Sequence, residues 1–305
     1  MAKGKHDGRR RKDGVWDPLE PSSKDKQRAE RVPGTPQTLS PSYRLAYADN
    51  DFLCSEELRP IRLQLELMKP EMILTERGIK STVVMFGGAR IPEPGKKAWA
   101  ARNEVQKRNL EAASVYYDEA REFARLCSEW SAKYDYSEYV VVTGGGPGVM
   151  EAGNRGAAEA GAPTIGLNIV LPHEQAPNPY VTPDLSFNFH YFAIRKMHFL
   201  MRAKAVAVFP GGFGTLDEFF ETLTLIQTHR MAPIPLLLFG VEFWRKVINF
   251  DALAEFGTIA PEDVELMSFV DTAKEACEII RRFYENGNGN GNGKAAADGT
   301  NGARD

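Results

Sequence analysis

An apolar run that ends in glycines and then restarts as a helix occurs three times in this chain of 305 residues. The runs cover residues 81–86, 139–143 and 205–209, and a glycine cluster follows each of them. Strands that are apolar throughout are typical of a parallel sheet covered on both faces. Their alternation with helical segments predicts an α/β fold, a doubly wound parallel sheet of Rossmann-like type, formed as a single domain with helical extensions.

Further elements are predicted around these three strands. Apolar runs at residues 163–171, 185–189 and 234–239 indicate three more strands. Pro70 lies inside the first predicted helix and is expected to break it in two. The predicted helices cover residues 55–78, 100–134, 149–161, 216–227, 241–256 and 261–284, with a further helix around Arg195 and Lys196.

The two ends of the chain differ from its centre in composition. Residues 1–44 are rich in charge, Pro, Ser and Gly and are predicted to form a disordered basic arm. Contact of this arm with nucleic acid or a membrane is the less favoured alternative. Residues 285–305 form a Gly/Asn-rich, low-complexity tail that is also predicted to be disordered. Residues 45–284 are therefore predicted to form the single Rossmann-like domain, which would carry any chemistry of the chain.

Composition restricts the class of ligand. The net charge of -3 and the absence of an evident basic stripe in the central region argue against a nucleic-acid-binding core, so a small ligand is expected. The three cysteines make no CxxC pair and the five histidines make no HxH or HExxH pattern. These patterns predict reduced thiols, no metal site and a cytoplasmic location. No apolar run is long enough to predict a membrane span or a secretion signal.

The third glycine cluster is suited to an anion. Gly211, Gly212 and Gly214 leave the backbone amides unobstructed, and the start of the next helix adds a partial positive charge. Thr215 is predicted to cap that helix. The alternative is an ordinary crossover turn in which Thr215 and Glu218 form a capping box and Glu218 only satisfies a backbone amide.

The glycine patterns exclude two common nucleotide sites. None of the clusters has the G-x-G-x-x-G spacing of dinucleotide sites, and none ends in the GK[ST] of a Walker A loop. Because all clusters follow strands, they are expected to meet at the carboxyl edge of the sheet, where ligands of such folds bind. The class of ligand that these exclusions leave is one with a single phosphate group, such as a mononucleotide or a sugar phosphate.

Charged side chains accompany these turns, although each one alone is compatible with a structural role. A guanidinium binds phosphate or orients a carboxylate, and a carboxylate activates water or stabilises an oxocarbenium-like centre. The combination suggests hydrolysis of the N-glycosidic bond of a nucleoside monophosphate. The charged set is Arg90, Glu151, Arg195, Lys196, Asp217, Glu218 and Glu221.

Three motifs together resemble the LONELY GUY (LOG) phosphoribohydrolase family. They are TGGGPGVMEAGNRGA at residues 143–157, IRK at 194–196 and PGGFGTLDE at 210–218, which matches every fixed position of PGGxGTxxE. LPHEQAPNPY and LTLIQT are similar to the long bacterial members, which are often labelled lysine decarboxylase-like.

The resemblance implies a cytoplasmic homodimer or larger homo-oligomer that converts nucleoside 5'-monophosphates to free base and ribose 5-phosphate. It implies no metal or organic cofactor. Arg195 and Glu218 would be the catalytic residues. The implied substrate-binding residues are Gly145, Gly146, Gly148, Met150, Glu151, Lys196, Gly211, Gly212, Gly214 and Thr215.

Because the sequence departs from the family pattern at several positions, it does not determine which base the substrate carries. Asp217 stands where shorter plant-type members commonly have Glu, and Ile194 precedes Arg195 in place of a charged residue. AMP and cytokinin riboside 5'-monophosphate are therefore both retained as substrates. The rival functions are a non-catalytic nucleotide or molybdenum-cofactor carrier and a pyridoxal-phosphate decarboxylase that would use Lys196 or Lys204.

Overall fold

A computed structural model describes residues 9–10, 16–17, 19–172 and 176–286 of the chain. Most of the predicted carboxyl-terminal tail and residues 173–175 of the LPHEQAPNPY segment lie outside these ranges. The chain divides into two units, Met1–Leu65 and Glu66–Asp305.

The amino-terminal unit contains short elements. Strands β1 (Arg9–Arg10) and β2 (Trp16–Asp17) pair antiparallel, and helices α1 (Ser22–Ala29) and α2 (Asn50–Leu53) follow. The carboxylate of Asp49 caps α2 because it accepts hydrogen bonds from the first amides of that helix. Helix α3 (Arg59–Glu76) begins in this unit and ends in the next.

The second unit contains a seven-stranded sheet in which all neighbouring strands are parallel. Its spatial order is β6-β5-β4-β3-β7-β8-β9. The strands are β3 (Thr82–Phe86), β4 (Val140–Thr143), β5 (Thr164–Ile169), β6 (Ser186–Phe189), β7 (Ala203–Val208), β8 (Leu236–Phe239) and β9 (Ser268–Val270).

Helices cover both faces of this sheet. Successive residues of β3 point to opposite sides, so Val83 and Met85 belong to one apolar core and Val84 and Phe86 to the other. The first core is completed by α5, α6 and α11, and the second by α3, α7, α8, α9 and α10. The predicted doubly wound fold is confirmed. The helices are α4 (Glu104–Ala112), α5 (Val115–Ser131), α6 (Val149–Glu159), α7 (Phe192–Leu200), α8 (Phe213–Gln227), α9 (Val241–Val247), α10 (Phe250–Glu255) and α11 (Ala273–Glu285).

The strand order reverses at the centre of the sheet. Strands β4, β5 and β6 lie on one side of β3, whereas β7, β8 and β9 lie on the other. The turns after β3 and β7 are adjacent, since the amide of Gly88 donates to the carbonyl of Pro210 at 3.0 Å. A crevice at such a reversal, beyond the carboxyl ends of the strands, is the expected ligand site of this fold.

Pro70 does not break α3, and that expectation was wrong. A proline at this position cannot donate to the carbonyl of Glu66 one turn earlier. That carbonyl instead accepts a hydrogen bond from Nε2 of His198 on α7, at 3.1 Å. The helix therefore continues past Pro70 without leaving the carbonyl unsatisfied.

Three other predicted helices differ from the observed elements. The segment predicted at residues 241–256 forms the two helices α9 and α10, with a break at residues 248–249. The segment predicted at residues 100–134 is divided into α4 and α5, with a break at Ala113 and Ser114. The segment predicted at 261–284 contains β9 before α11 begins. Strand β9 has only three residues and one neighbour, so its sequence was too short to show a strand pattern.

We predict that Gly156→Ala destabilises the protein, because α5 and α6 approach closely at this glycine. A Cβ at Gly156 would lie 2.0 Å from the carbonyl oxygen of Arg121, and that backbone cannot move aside cheaply. We expect the free energy of unfolding in urea to fall by about 1–3 kcal/mol.

The matched control is Gly153→Ala in the same helix. Its Cβ would meet the flexible side chain of Met85 at 2.9 Å, so the loss should be smaller. Equal stability of Gly156→Ala and the unsubstituted protein would show that the two helices separate freely.

Candidate active site

The glycine loop between β4 and α6 has a backbone that requires glycine. Gly145 and Gly148 have φ angles of +74° and +69°, which L side chains rarely adopt. The hydroxyl of Thr143 accepts a hydrogen bond from the backbone amide of Gly145 at 2.9 Å. The backbone amide of Asn178 donates a hydrogen bond to the carbonyl of Gly145 at 2.8 Å. The loop is therefore held in one conformation from both sides.

Asn154 on α6 connects this loop to the sheet, a role that was not predicted from the sequence. Its Oδ1 accepts from the hydroxyl of Thr143 at 2.7 Å and from Nδ2 of Asn178 at 2.8 Å. Its own Nδ2 donates to the hydroxyl of Thr164 at 2.8 Å. All four side chains are buried. The signal in the sequence was an uncharged polar residue within EAGNRGAA, a stretch rich in Ala and Gly.

Helix α7 places Arg195 beside this loop. The Nε of Arg195 donates to the carbonyl of Leu167 at 2.7 Å, and its guanidinium lies 5.2 Å from the ring centre of Phe199. A Cβ at Gly144 would lie 2.7 Å from both Nη2 of Arg195 and the sulfur of Met150. Glycine at position 144 therefore allows the guanidinium to reach the loop.

Glu66 on α3 fixes the position of α7, and it too was missed in the sequence. Its carboxylate accepts the amides of His190 and Tyr191, just before α7, at 2.8 and 3.1 Å. Its carbonyl accepts the Nε2 proton of His198 near the other end of α7. Arg195 lies between these two attachments, so one residue of α3 restrains the helix that carries it.

Helix α8 begins earlier than predicted. Gly212 is its N-cap residue and Phe213 its first residue, which places Thr215 inside the first turn. The prediction that Thr215 caps this helix was therefore wrong, and the alternative in which Thr215 and Glu218 form a capping box is not observed. A Cβ at Gly211 would lie 2.2 Å from the Thr215 hydroxyl, so glycine at 211 is needed for the turn to close over that side chain.

Glu218 faces Arg195 from α8. The shortest distance between them joins Oε1 of Glu218 to Nη1 of Arg195 at 3.6 Å, and only 12% and 9% of the two side chains are exposed. Burial raises the pKa of Glu218 to about 7, although the nearby charge of Arg195 opposes this shift. Burial also lowers the pKa of Arg195, opposed by the charge of Glu218. Both charged forms are thus partly desolvated.

The other predicted site residues fall into distinct environments. The ammonium of Lys196 is 2.8 Å from Asp217 and 2.9 Å from Glu221, so α7 and α8 are joined by two further ion pairs. Glu151 accepts a hydrogen bond from the buried hydroxyl of Tyr117 at 3.0 Å. Arg90 is exposed. Met150 contacts the loop near Gly144 and Gly146, while Gly212 and Gly214 have open space beside them.

The arrangement places a helix amino terminus that is suited to an anion beside an ionisable carboxyl group. No side chain caps the first amides of α8, and Glu218 lies on the same helix with a pKa raised to about 7. Such a carboxyl can exchange a proton or stabilise positive charge. A cavity of about 620 Å³ lies elsewhere, where β3, β4 and β5 begin, and none of the predicted site residues lines it.

No group of three or more His, Cys, Asp or Glu residues in the described part of the chain is arranged to hold a metal ion. None of the described helices has the length and apolar character needed to cross a membrane.

Comparisons with known proteins give one family and several distant structures. Residues 150–280 match the family described as "Possible lysine decarboxylase". A molybdenum cofactor binding protein from the phototrophic bacterium Rippkaea orientalis is 18% identical, with 67% of this chain and 98% of that chain covered and a TM-score of 0.44. TM1055 is 23% identical, with 66% and 99% covered and a TM-score of 0.43. The molybdenum cofactor carrier protein of Chlamydomonas reinhardtii is 18% identical, with 68% and 99% covered and a TM-score of 0.42. Among curated proteins no sequence match was found.

We predict that neighbouring charges move the pKa of Glu218 in opposite directions. Arg195→Met removes the cation that lowers this pKa, so the value should rise above about 7. Asp217→Asn removes an anion that raises it, so the value should fall. Carboxyl-selective ¹³C NMR titration measures both. Identical titration curves in the two variants would contradict the described environment.

Proposed function

We propose a nucleotide-hydrolysing function, starting from the match of residues 150–280 to the family described as "Possible lysine decarboxylase" and from the resemblance of three motifs to the LOG family. The proposed reaction cleaves the N-glycosidic bond of a nucleoside 5'-monophosphate, AMP or a cytokinin riboside 5'-monophosphate, to free base and ribose 5-phosphate. The observation that carries the proposal is the buried pair of Arg195 and Glu218 beside two glycine turns. A cytoplasmic homodimer or larger assembly is part of the proposal.

The phosphate is proposed to bind at the start of α8. The amides of Gly211, Gly212 and Gly214 lie at or before the first turn of that helix, and the Thr215 hydroxyl is adjacent to them. Backbone amides and the helix dipole together favour an anion there. The loop at residues 144–148, with Met150 and Glu151, is proposed to frame the rest of the nucleotide.

Glu218 is proposed to act on the ribose as a carboxylate. Breaking the bond between C1 of the ribose and the base leaves positive charge on the sugar, which a nearby carboxylate stabilises, and the same group can accept a proton from the attacking water. Arg195 is held by Leu167 and the ring of Phe199 and is proposed to orient Glu218. Partial burial strengthens these electrostatic interactions because little water screens them.

The decarboxylase function is disfavoured by the state of the two candidate lysines. Lys196 is bonded to two carboxylates of α8. Lys204 pairs with Glu138 at 3.0 Å and lies over the ring of Tyr139 at 4.7 Å. A lysine that forms an aldimine with pyridoxal phosphate must be free to lose its proton, whereas ion pairs favour the charged form. These residues do not fit that cofactor.

We predict that Glu218→Gln abolishes base release but retains nucleotide binding. The substitution keeps the size of the side chain and removes only its charge. Free adenine released from AMP is measured by chromatography, and AMP binding by calorimetry; we expect at least a roughly 100-fold fall in the rate of release.

The control is Glu255→Gln, an exposed glutamate at the end of α10 outside the proposed site. It should release adenine at the rate of the unsubstituted protein. Full activity of Glu218→Gln would remove Glu218 from the mechanism. If the unsubstituted protein binds AMP but releases no base, the carrier function replaces the enzyme.

We predict that base release increases with pH through the pKa of Glu218. If the carboxylate is the active form, kcat/KM should be low in acid and reach its plateau above about pH 7. Asp217→Asn should move the midpoint to lower pH, because an anion that raises the pKa is lost. The pH profile of adenine release tests this, and a rate that falls as Glu218 ionises would instead require a protonated acid.

A further inference from the structure

A basic segment follows β3 and is not used in the proposed reaction. Between Arg90 and Arg108 the chain has six Lys and Arg residues and only two glutamates, although the net charge of the whole protein is -3. This local excess of positive charge lies between the central strand and the first turns of α4.

The two glutamates of this segment do not neutralise its exposed arginines. Glu93 pairs with a guanidinium of α6 at 3.0 Å, and Glu104 lies 3.8 Å from a lysine of its own helix. Within the part of the chain that the structure describes, no carboxylate pairs with the guanidinium of Arg90 or Arg102. Unpaired guanidinium groups that lie together are suited to a phosphate, since their N–H groups match its oxygens in pairs.

These two arginines share a cavity with an exposed aromatic ring. The cavity has a volume of about 280 Å³ and contains Trp99, of which 59% is exposed. The segment is anchored on both sides, because Ala98 is buried and Asn103 caps α4 by accepting the amide of Gln106 at 2.8 Å. The cavity is lined by Arg90, Trp99, Ala100, Ala101 and Arg102.

We propose that this cavity is a second nucleotide site, in which the base stacks on Trp99 and the phosphate is bound by Arg90 and Arg102. An aromatic side chain stacks on the face of any nucleobase, and guanidinium groups bind phosphate through paired hydrogen bonds. The small volume favours a free mononucleotide over a nucleic-acid strand, which requires a continuous groove.

The site is beside the candidate active site and separate from it. Arg90 comes two residues after Gly88, whose amide is bonded to Pro210 at the start of the proposed phosphate turn. Arg195, Glu218 and the amides of α8 do not line the cavity. Binding at this cavity is therefore separate from the proposed hydrolysis and does not require turnover.

Calorimetric titration of the Glu218→Gln protein with AMP tests the proposal without turnover. We expect a class of AMP sites that the double variant Arg90→Ala/Arg102→Ala weakens by at least about tenfold, equivalent to about 1.4 kcal/mol. Trp99→Leu should weaken AMP binding to the same class of sites. We expect AMP to quench tryptophan fluorescence in the parent protein and to quench it less in this variant. The charge-matched control is Arg230→Ala/Lys246→Ala, which removes two exposed cations elsewhere and should leave binding unchanged.

The outcomes separate this site from the proposed function. Circular dichroism and thermal unfolding establish that each variant is folded. AMP binding that is unchanged in Arg90→Ala/Arg102→Ala and Trp99→Leu would overturn the second site, as would tighter binding of single-stranded RNA than of AMP at the same residues. Absence of adenine release by the unsubstituted protein would overturn the proposed hydrolysis, but the loss of an AMP-binding class in these variants would still support the second site.

Discussion

Burial of a carboxyl group opposite a single guanidinium is the constraint on which the candidate site depends. Glu218 and Arg195 come from different helices, and neither charge is fully solvated. A desolvated pair of this kind keeps its geometry only if the two helices are held by other contacts. Those contacts are the ion pairs of Lys196 with α8 and the hydrogen bonds of Glu66 to both ends of α7.

The sheet supplies the remaining part of this geometry. Reversal of the strand order at β3 brings the turns after β3 and β7 together, and the loop after β4 is next to them. Glycine at 144 leaves room for the guanidinium of Arg195, and glycine at 211 lets the turn close on Thr215. The glycines are therefore required by close approach as well as by backbone angle. A larger side chain at position 144 would push the guanidinium of Arg195 away from the loop after β4, and one at position 211 would push Thr215 away from the turn before α8.

Sequence reasoning predicted the sheet and the family because both depend on local patterns. Apolar strands, the glycine turns after them and three motifs lie in continuous segments, and the family match confirms the resemblance. Contacts between distant segments were not accessible in this way. The carbonyl freed by Pro70 is satisfied by His198, and the polar network around Asn154 joins four segments. The predicted start of α8 was too late in the chain. Thr215 is a residue type that often caps helices, but the residue at the N-cap position is Gly212.

The raised pKa of Glu218 also links the site to stability. A carboxyl with a higher pKa in the folded state than in the unfolded state binds its proton more tightly when folded. Its contribution to the free energy of unfolding is fully present below the usual glutamate pKa of 4.5 and is lost as the pH rises through about 7. Above that pH the folded protein holds an ionised, partly buried carboxylate. The free energy of unfolding is then lower, by on the order of 3 kcal/mol, than it is in acid, where the carboxyl is protonated in both states. A bound nucleotide whose sugar gains positive charge during cleavage would interact favourably with that carboxylate, so the state that is least favourable for folding is the one best matched to the proposed transition state.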